Sequence, residues 1–396
     1  MKAIDRLTVK YHNRIVGILS LTPDDKFCAF EYDKNWLVDG FSISPLELPL
    51  RQGLFIAKPQ PFNGNFGIFE DSLPDGYGRD LLHKALLREG INDVNLSSLD
   101  RLSLVGSGGM GALTYHPETH IQSGTNIRDL DMLQQKALEV LKEQQDADAG
   151  LLLYNSGNSG GARPKAIFQD EEGHWLVKFR HTYDPKDIGQ QEFHYNEVAR
   201  KCGINVPDFK LMNGKYFASR RFDIERQRVG ETSAQRLSTN GAQESSGTAD
   251  GQRIHTATAG GLLCLSLTNP VLDYSNLLAL TGYLTQNAME VEEMFRRMVF
   301  NYLTDNKDDH CKNFSFYVSE NLTGGYSWHL APAYDLTLCT EGYNGEHATS
   351  VNGTGNPTLE DMISIGTKIK MKQERCYEIF KEVENACGDL LLHRIK

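Results

Sequence analysis

Residues 301–316, Asn301-Tyr-Leu-Thr-Asp-Asn-Lys-Asp-Asp-His-Cys-Lys-Asn-Phe-Ser-Phe316, and 328–336, Trp328-His-Leu-Ala-Pro-Ala-Tyr-Asp-Leu336, decide the reading of this chain. Asp308 stands five residues before Asn313, and Asp335 closes the apolar run Leu330-Ala-Pro-Ala-Tyr334. Phosphoryl transfer needs one carboxylate to orient the attacking hydroxyl. It needs a second carboxylate and an amide oxygen to hold Mg²⁺, an ion that prefers hard oxygen ligands. An Asp followed five positions later by Asn is the spacing of a protein-kinase catalytic loop; Asp308 meets it and Asp309 does not. Asp308 is therefore the expected base, with Asn313 and Asp335 as the expected metal ligands. Asp and Asn also crowd ordinary polar turns, so this spacing alone is a weak signal. Upstream, Glu290–Leu303 sets Val291, Met294, Phe295, Met298, Val299 and Leu303 on one helical face. That helix would deliver the loop at its C-terminal end.

A second chemical stretch is Asn155-Ser-Gly-Asn-Ser-Gly-Gly-Ala-Arg-Pro-Lys165. Glycine lets backbone N–H groups approach phosphate oxygens where a side chain would block them. Ser159 supplies a hydroxyl, and Arg163 and Lys165 supply positive charge. The Walker pattern Gly-x-x-x-x-Gly-Lys-Ser/Thr is absent. Thirteen residues further on, Lys178 sits in the alternating run Trp175-Leu-Val-Lys-Phe179, which suits a strand that points the lysine into a cleft. A strand lysine that meets the nucleotide phosphates is a kinase requirement. The helix expected at 191–202 offers either Glu192 or Glu197 as its partner.

At 396 residues two or three domains or lobes are expected, with ample core. Lys plus Arg is 41 against 52 Asp plus Glu, a net charge of −11, which argues against blanketing nucleic acid by charge alone. No apolar run has membrane-spanning length, and the N-terminus does not read as a signal peptide. Seven scattered cysteines without a Cys-x-x-Cys pair read as reduced thiols of a cytoplasmic protein. His310 and Cys311 have no second cluster to complete a zinc site. Residues 6–20 alternate as a hairpin, and a strand follows near Phe27–Tyr32. A helix is expected from Asp75, placed to cap it, to Glu89, and another at Ser98–Val105. Gly106-Ser-Gly-Gly-Met-Gly111 reads as a tight structural turn. An amphipathic helix is expected over 127–148, a polar loop over 226–253, and helices over 358–367 and 371–386.

Asn301, Asn306, Asp308, Asp309, His310, Lys312 and Asn313, followed by Leu-Ala-Pro-Ala-Tyr-Asp335, closely resemble the C-terminal half of the HipA family of toxin kinases. Asp71-Ser-Leu-Pro-Asp-Gly76 and Val105-Gly-x-x-x-x-Gly-Ala-Leu113 resemble that family's N-terminal subdomain. The resemblance implies an α+β fold: a bilobal, protein-kinase-like body with a small N-terminal α+β subdomain. It divides the chain into 1–118, a linker helix and N-lobe-like region over 119–225, and a mainly helical C-lobe over 226–396. It implies ATP and Mg²⁺ as cofactors and serine/threonine phosphorylation as the activity. In that family Gly160, Gly161, Ala162, Arg163 and Lys165 match the phosphate-covering loop, and a serine in or beside it is autophosphorylated. Asn158 falls at that position here, flanked by Ser156 and Ser159. Phe217-Ala-Ser-Arg-Arg-Phe-Asp223 resembles the segment joining the lobes, whose backbone around Arg220, Arg221 and Phe222 would receive adenine. Asp223 would reach ribose or order the turn. His310 and Lys312 fall in the nucleotide-facing loop, His310 ordering it, and Glu192 is favoured over Glu197. The family's targets include aminoacyl-tRNA synthetases, and its usual partner is a helix-turn-helix antitoxin through which DNA is met; no membrane is involved. Two rival readings share the same residues: a small-molecule kinase of the aminoglycoside or choline type, and a kinase-like co-repressor module.

Overall fold

The computed structural model describes residues 4–120, 126–143, 148–156, 160–225, 252–321 and 324–391. The alternation near the N-terminus becomes β1 (Arg6–Tyr11) and β2 (Arg14–Leu21), joined by a turn in which His12 takes a φ of 52°. With β3 (Cys28–Tyr32), β4 (Leu54–Ile56) and β5 (Leu113–His116) they form an antiparallel sheet in the order β4-β3-β2-β1-β5. Period-two alternation buries Leu7 and Val9 of β1 on one face. Helix Ser98–Val105 lies against β1, β2 and β5, and Ser97 and Asp100 close a reciprocal capping box at its start.

A second antiparallel sheet is built from β6 (Lys165–Asp170), β7 (Gly173–Lys178), β8 (Phe209–Met212) and β9 (Tyr216–Arg220), in the order β6-β7-β9-β8. Helix Ile188–Lys201 connects β7 to β8 and packs on β8 and β9. The last third pairs a small sheet, β10 (Thr256–Thr258), β11 (Ser315–Glu320) and β12 (Tyr326–Leu330), with helices Tyr274–Thr285, Ala288–Leu303, Leu359–Lys368 and Gln373–Ala386. Three antiparallel sheets with segregated helices make the chain α+β.

Two cores hold these parts. The larger one runs continuously from Phe30 and Phe69 near the N-terminus to Phe295, Met298 and Phe380 of the C-terminal helices. The smaller one gathers Trp175, Val177 and Ala218 of the second sheet with Leu133, Ala137 and Leu152. Tyr77 and Leu81 join that smaller core from helix Gly76–Arg88, which therefore belongs by packing to the second sheet as well as to the N-terminal region. The helix expected over 127–148 is shorter, Leu130–Leu141. Lys142 and Glu143 turn, Glu143 at a φ of 54°, because the run beyond Leu141 is polar and has no apolar face to bury. A separate helix, Ala149–Ser156, follows. The expected loop at 226–253 lies outside the described residues except for Gln252 and Arg253. Among the described residues, no helix is long and apolar enough to cross a membrane.

Candidate active site

Helix Ala288–Leu303 is buried along most of its length and leads into residues 304–313 at its end, where Asp305 turns the chain with a φ of 52°. A chain of buried polar groups then holds the loop. Asn306 donates to Asn301 Oδ1 at 2.9 Å, Asn301 donates to the Tyr274 hydroxyl at 2.9 Å, and that hydroxyl donates to Asp309 Oδ2 at 2.9 Å. Asp309 also meets His347 Nδ1 at 3.1 Å and accepts the Thr349 N–H at 3.2 Å, while the His347 ring stacks on Tyr302 with centroids 3.7 Å apart. Asp309 is thus spent on support.

Its neighbour Asp308 has the opposite surroundings. Solvent reaches 60 % of its side chain, and its carboxylate lies 4.0 Å from His310 Nε2. The protein around the carboxyl still pushes it above the usual aspartate range; His310 pulls it down, and the charges of Asp335 and Asp309 push it further up. His310 Nδ1 accepts the Lys312 N–H at 3.3 Å, capping the short turn Cys311–Asn313, so its Nε2 is the nitrogen facing Asp308. Asn313 donates its amide N–H to the Asp308 carbonyl at 2.7 Å, which commits its nitrogen and leaves Oδ1 as the atom to offer a cation.

Asp335 follows β12 and sits at a φ of 54°, a left-handed conformation that costs a non-glycine residue roughly 1–3 kcal/mol and persists where the surroundings enforce it. One enforcing contact is an ion pair with Lys178, which also pairs with Glu192. Glu197 stands instead beside His194, 3.9 Å away and half exposed. Lys165 and Lys178 are directly opposed across β6 and β7, so both ammonium groups share a face. Burial alone would raise the Asp335 carboxyl, but Lys178 and Lys165 outweigh it and hold the group well below the usual range. Burial works against the Lys178 ammonium, and Asp335 and Glu192 more than restore it. At Lys165 burial outweighs the attraction of Asp335 and lowers the ammonium. Two like charges facing each other are unfavourable unless anions lie between them. Glu192 and Asp335 supply two, and a phosphate chain would be drawn to the same place.

The glycine stretch is placed differently from expectation. The Gly161 N–H does not point at open cleft; it donates to the carboxylate of Asp75, and the Lys165 ammonium donates to the Gly160 carbonyl. Arg163 is held by Asp184 through Nε at 3.1 Å and a terminal nitrogen at 3.1 Å, so it braces the loop, with Ala162 exposed at its tip. Lys312 reaches Asp75 as well, at 2.8 Å. Asp75 occupies the cap position of helix Gly76–Arg88 but makes no side-chain cap, because its carboxylate is turned to these two partners. Ser156 is buried at the end of its helix, where its hydroxyl donates to the Leu153 carbonyl at 3.4 Å, so it cannot meet a phosphoryl donor unless that end opens. Ser159 lies outside the described residues.

Where β9 ends, Arg220, Arg221 and Phe222 line a cavity of about 540 Å³ whose other walls include Val206, Pro207 and Pro332. Phe222 stacks on Tyr334, next to Asp335, with centroids 5.7 Å apart. Asp223 is buried; it takes Arg221 at 2.6 Å and the Gly111 N–H at 2.9 Å, and thereby orders the turn rather than facing a ribose. Gly111, at a φ of 71°, ends the N-terminal glycine stretch, so that stretch is the structural turn expected. Beside Asp308 and His310 a smaller cavity of about 120 Å³ is walled by Leu265, Leu267, Pro270 and Tyr343. Among the described residues, no group of three or more His, Cys, Asp and Glu side chains is set to bind a metal. Asn313 and Asp335 offer one neutral and one firmly ionised oxygen donor, the hard pair that suits Mg²⁺ alongside phosphate oxygens.

Sequence reading missed the roles of Asp75, Asp184 and Asp309. Asp75 meets Gly161 across 86 positions and Lys312 across 237, and no local spacing signals contacts of that span.

Residues 7–116 match the HipA N-terminal domain and residues 157–390 match the HipA-like C-terminal domain. The serine/threonine-protein kinase toxin HipA of Shewanella oneidensis is 24% identical over 356 residues, spanning 85% of this chain and 77% of that protein. A solved complex of Shewanella oneidensis MR-1 HipA with HipB and operator DNA aligns with a TM-score of 0.67 at 18% identity, over 98% of this chain and 92% of that one. That likeness carries the kinase-like α+β fold expected from the sequence. With both domains matched in order along most of its length, this chain belongs to the HipA family.

Proposed function

We propose that the chain is an ATP- and Mg²⁺-dependent serine/threonine protein kinase, the toxin of a toxin–antitoxin pair. The observation that carries this reading is Lys178, which pairs with Glu192 and with Asp335, the latter 157 positions away in sequence, in the cleft where Asp308 and Asn313 stand. In the proposed reaction Lys178 and Lys165 hold phosphate oxygens on the shared face of β6 and β7. Asn313 and Asp335 would hold Mg²⁺, which when bound neutralises charge on the transferring phosphate. Asp308 orients the acceptor hydroxyl and takes its proton, a task suited to a carboxyl raised above its ordinary range. Phe222 and the backbone around Arg220 and Arg221 would receive adenine.

The exposure of Asp308 favours a protein acceptor, since a bulky partner can present a hydroxyl to an open carboxylate. The small cavity beside it is the feature that supports the second reading, a small-molecule kinase. Family resemblance points to a translation component, such as an aminoacyl-tRNA synthetase, as the target. The Shewanella relative was solved with HipB and operator DNA, and by that likeness this chain's partner is a helix-turn-helix antitoxin that mediates contact with DNA. Purified protein incubated with labelled ATP, Mg²⁺ and a cell extract should label a discrete protein on serine or threonine. Label found only on small molecules would favour the second reading, and no label at all would contradict both.

A further inference from the structure

The stretch Asp71–Gly76 is far from the kinase-like residues in sequence but is built into both halves of their cleft. Asp75 accepts the Gly161 N–H on one oxygen and the Lys312 ammonium, at 2.8 Å, on the other. The Tyr77 N–H donates to the Gly161 carbonyl at 3.1 Å, so the phosphate loop is held through both its donor and its acceptor. Two glycines make the approach possible. A Cβ on Gly76, which has a φ of 46°, would lie 2.6 Å from the Gly161 oxygen, and a Cβ on Gly160 would lie 2.8 Å from Asp75 Oδ1. Asp71 anchors the same stretch from below. It is half-buried and accepts the Thr258 N–H and hydroxyl, both at 2.8 Å. Thr258 pairs with Ser315, two positions beyond Asn313, and the next residue, Ala259, donates to the Phe314 carbonyl at 2.7 Å. The carboxylate of Asp75 is therefore a fixed point between the phosphate loop and the catalytic loop.

We infer that Asp75 is a positioning residue for phosphoryl transfer: it seats the phosphate loop and, through Lys312, sets that loop's distance from the catalytic loop. The inference rests on the kinase reading above. Its physical content is preorganisation. With both loops already tied to one carboxylate, bound nucleotide does not have to draw them together, and that ordering cost is removed from binding. Asp75 acts through the backbone of Gly161 and through Lys312.

The test measures KM for Mg²⁺-ATP, kcat, nucleotide affinity and melting temperature on the full chain, for wild type, Asp75→Asn, Lys312→Met and the double variant. Loss of the charged contact should raise the KM for ATP roughly tenfold, the effect of about one charge-assisted hydrogen bond. The two substitutions should be strongly non-additive, because each removes the same tie. If Asp75→Asn does not fold, Lys312→Met alone reports on the seat by its KM. A purely structural role would lower the melting temperature and the active fraction and leave KM unchanged, and that result overturns the inference. Additive effects, or a lower KM, overturn it too, the latter making Asp75 a brake instead. Wild-type protein that binds no nucleotide would sink the kinase reading along with this one, whereas active wild type with an indifferent Asp75→Asn would sink this inference only.

Discussion

Asp308 and Asp309 are chemically identical neighbours with opposite surroundings, and the difference yields opposite predictions. Asp308→Asn should cut phosphate transfer by roughly 10²–10⁴-fold, the contribution of a positioned general base. It should leave stability within about 0.5 kcal/mol, as expected of an exposed side chain without a buried partner. Asp309→Asn should do the reverse first. It disturbs the buried contacts to Tyr274, His347 and Thr349 and should cost about 1–3 kcal/mol in chemical denaturation. The five-residue spacing to Asn313 made Asp308 legible in the sequence. Nothing local foretold that Asp309 would be buried, because Tyr274 and His347 lie 35 and 38 positions away. Asp335 adds a pH prediction. Its folded carboxyl is held below the usual range, so its contribution to stability is complete above the ordinary aspartate value and is lost as pH falls below it. Melting temperatures of wild type and Asp335→Asn should therefore converge on acidification; a gap that widens instead would contradict the assignment.

At the scale of elements, the cleft depends on register. The pairing of Lys165 with Lys178 places two ammonium groups on one face of β6 and β7, and helix Ile188–Lys201 brings Glu192, rather than Glu197, beneath them. Alternation in Trp175–Phe179 was enough to aim Lys178 at a cleft. The choice between the two glutamates depends on which face of the helix meets the sheet, which sequence periodicity left open. The glycine stretch at 160–165 shows the limit more sharply, since its glycines were legible but their seat on Asp75 was not. Gly161 has a φ of 96°, and a Cβ there would lie 2.6 Å from the Lys165 ammonium. Gly161→Ala should accordingly cost roughly 1–3 kcal/mol of local strain. Unless the loop rearranges without penalty, ATP affinity by titration calorimetry should fall; affinity equal to wild type would show that the loop's observed shape is not the one nucleotide meets.

For the whole molecule, the continuous larger core, running from β1–β3 to the C-terminal helices, explains how an N-terminal carboxylate can be held firmly in a distant cleft. The sharing of helix Gly76–Arg88 with the second sheet arises from packing that motifs do not encode. A net charge of −11 predicts that the chain alone binds operator-length DNA poorly at physiological salt, and that binding appears only with the proposed antitoxin partner. Mobility-shift titrations with and without the antitoxin check this, and tight salt-resistant binding by the chain alone would refute it. The central claim, phosphoryl transfer to a protein hydroxyl through Asp308, Asn313, Asp335 and Lys178, is tested most directly by following γ-labelled phosphate from Mg²⁺-ATP into protein. Wild type should transfer label to serine or threonine, while folded Asp308→Asn and Asp335→Asn should not. Label incorporated equally by wild type and both variants, or by none of the three despite intact nucleotide binding, would contradict it.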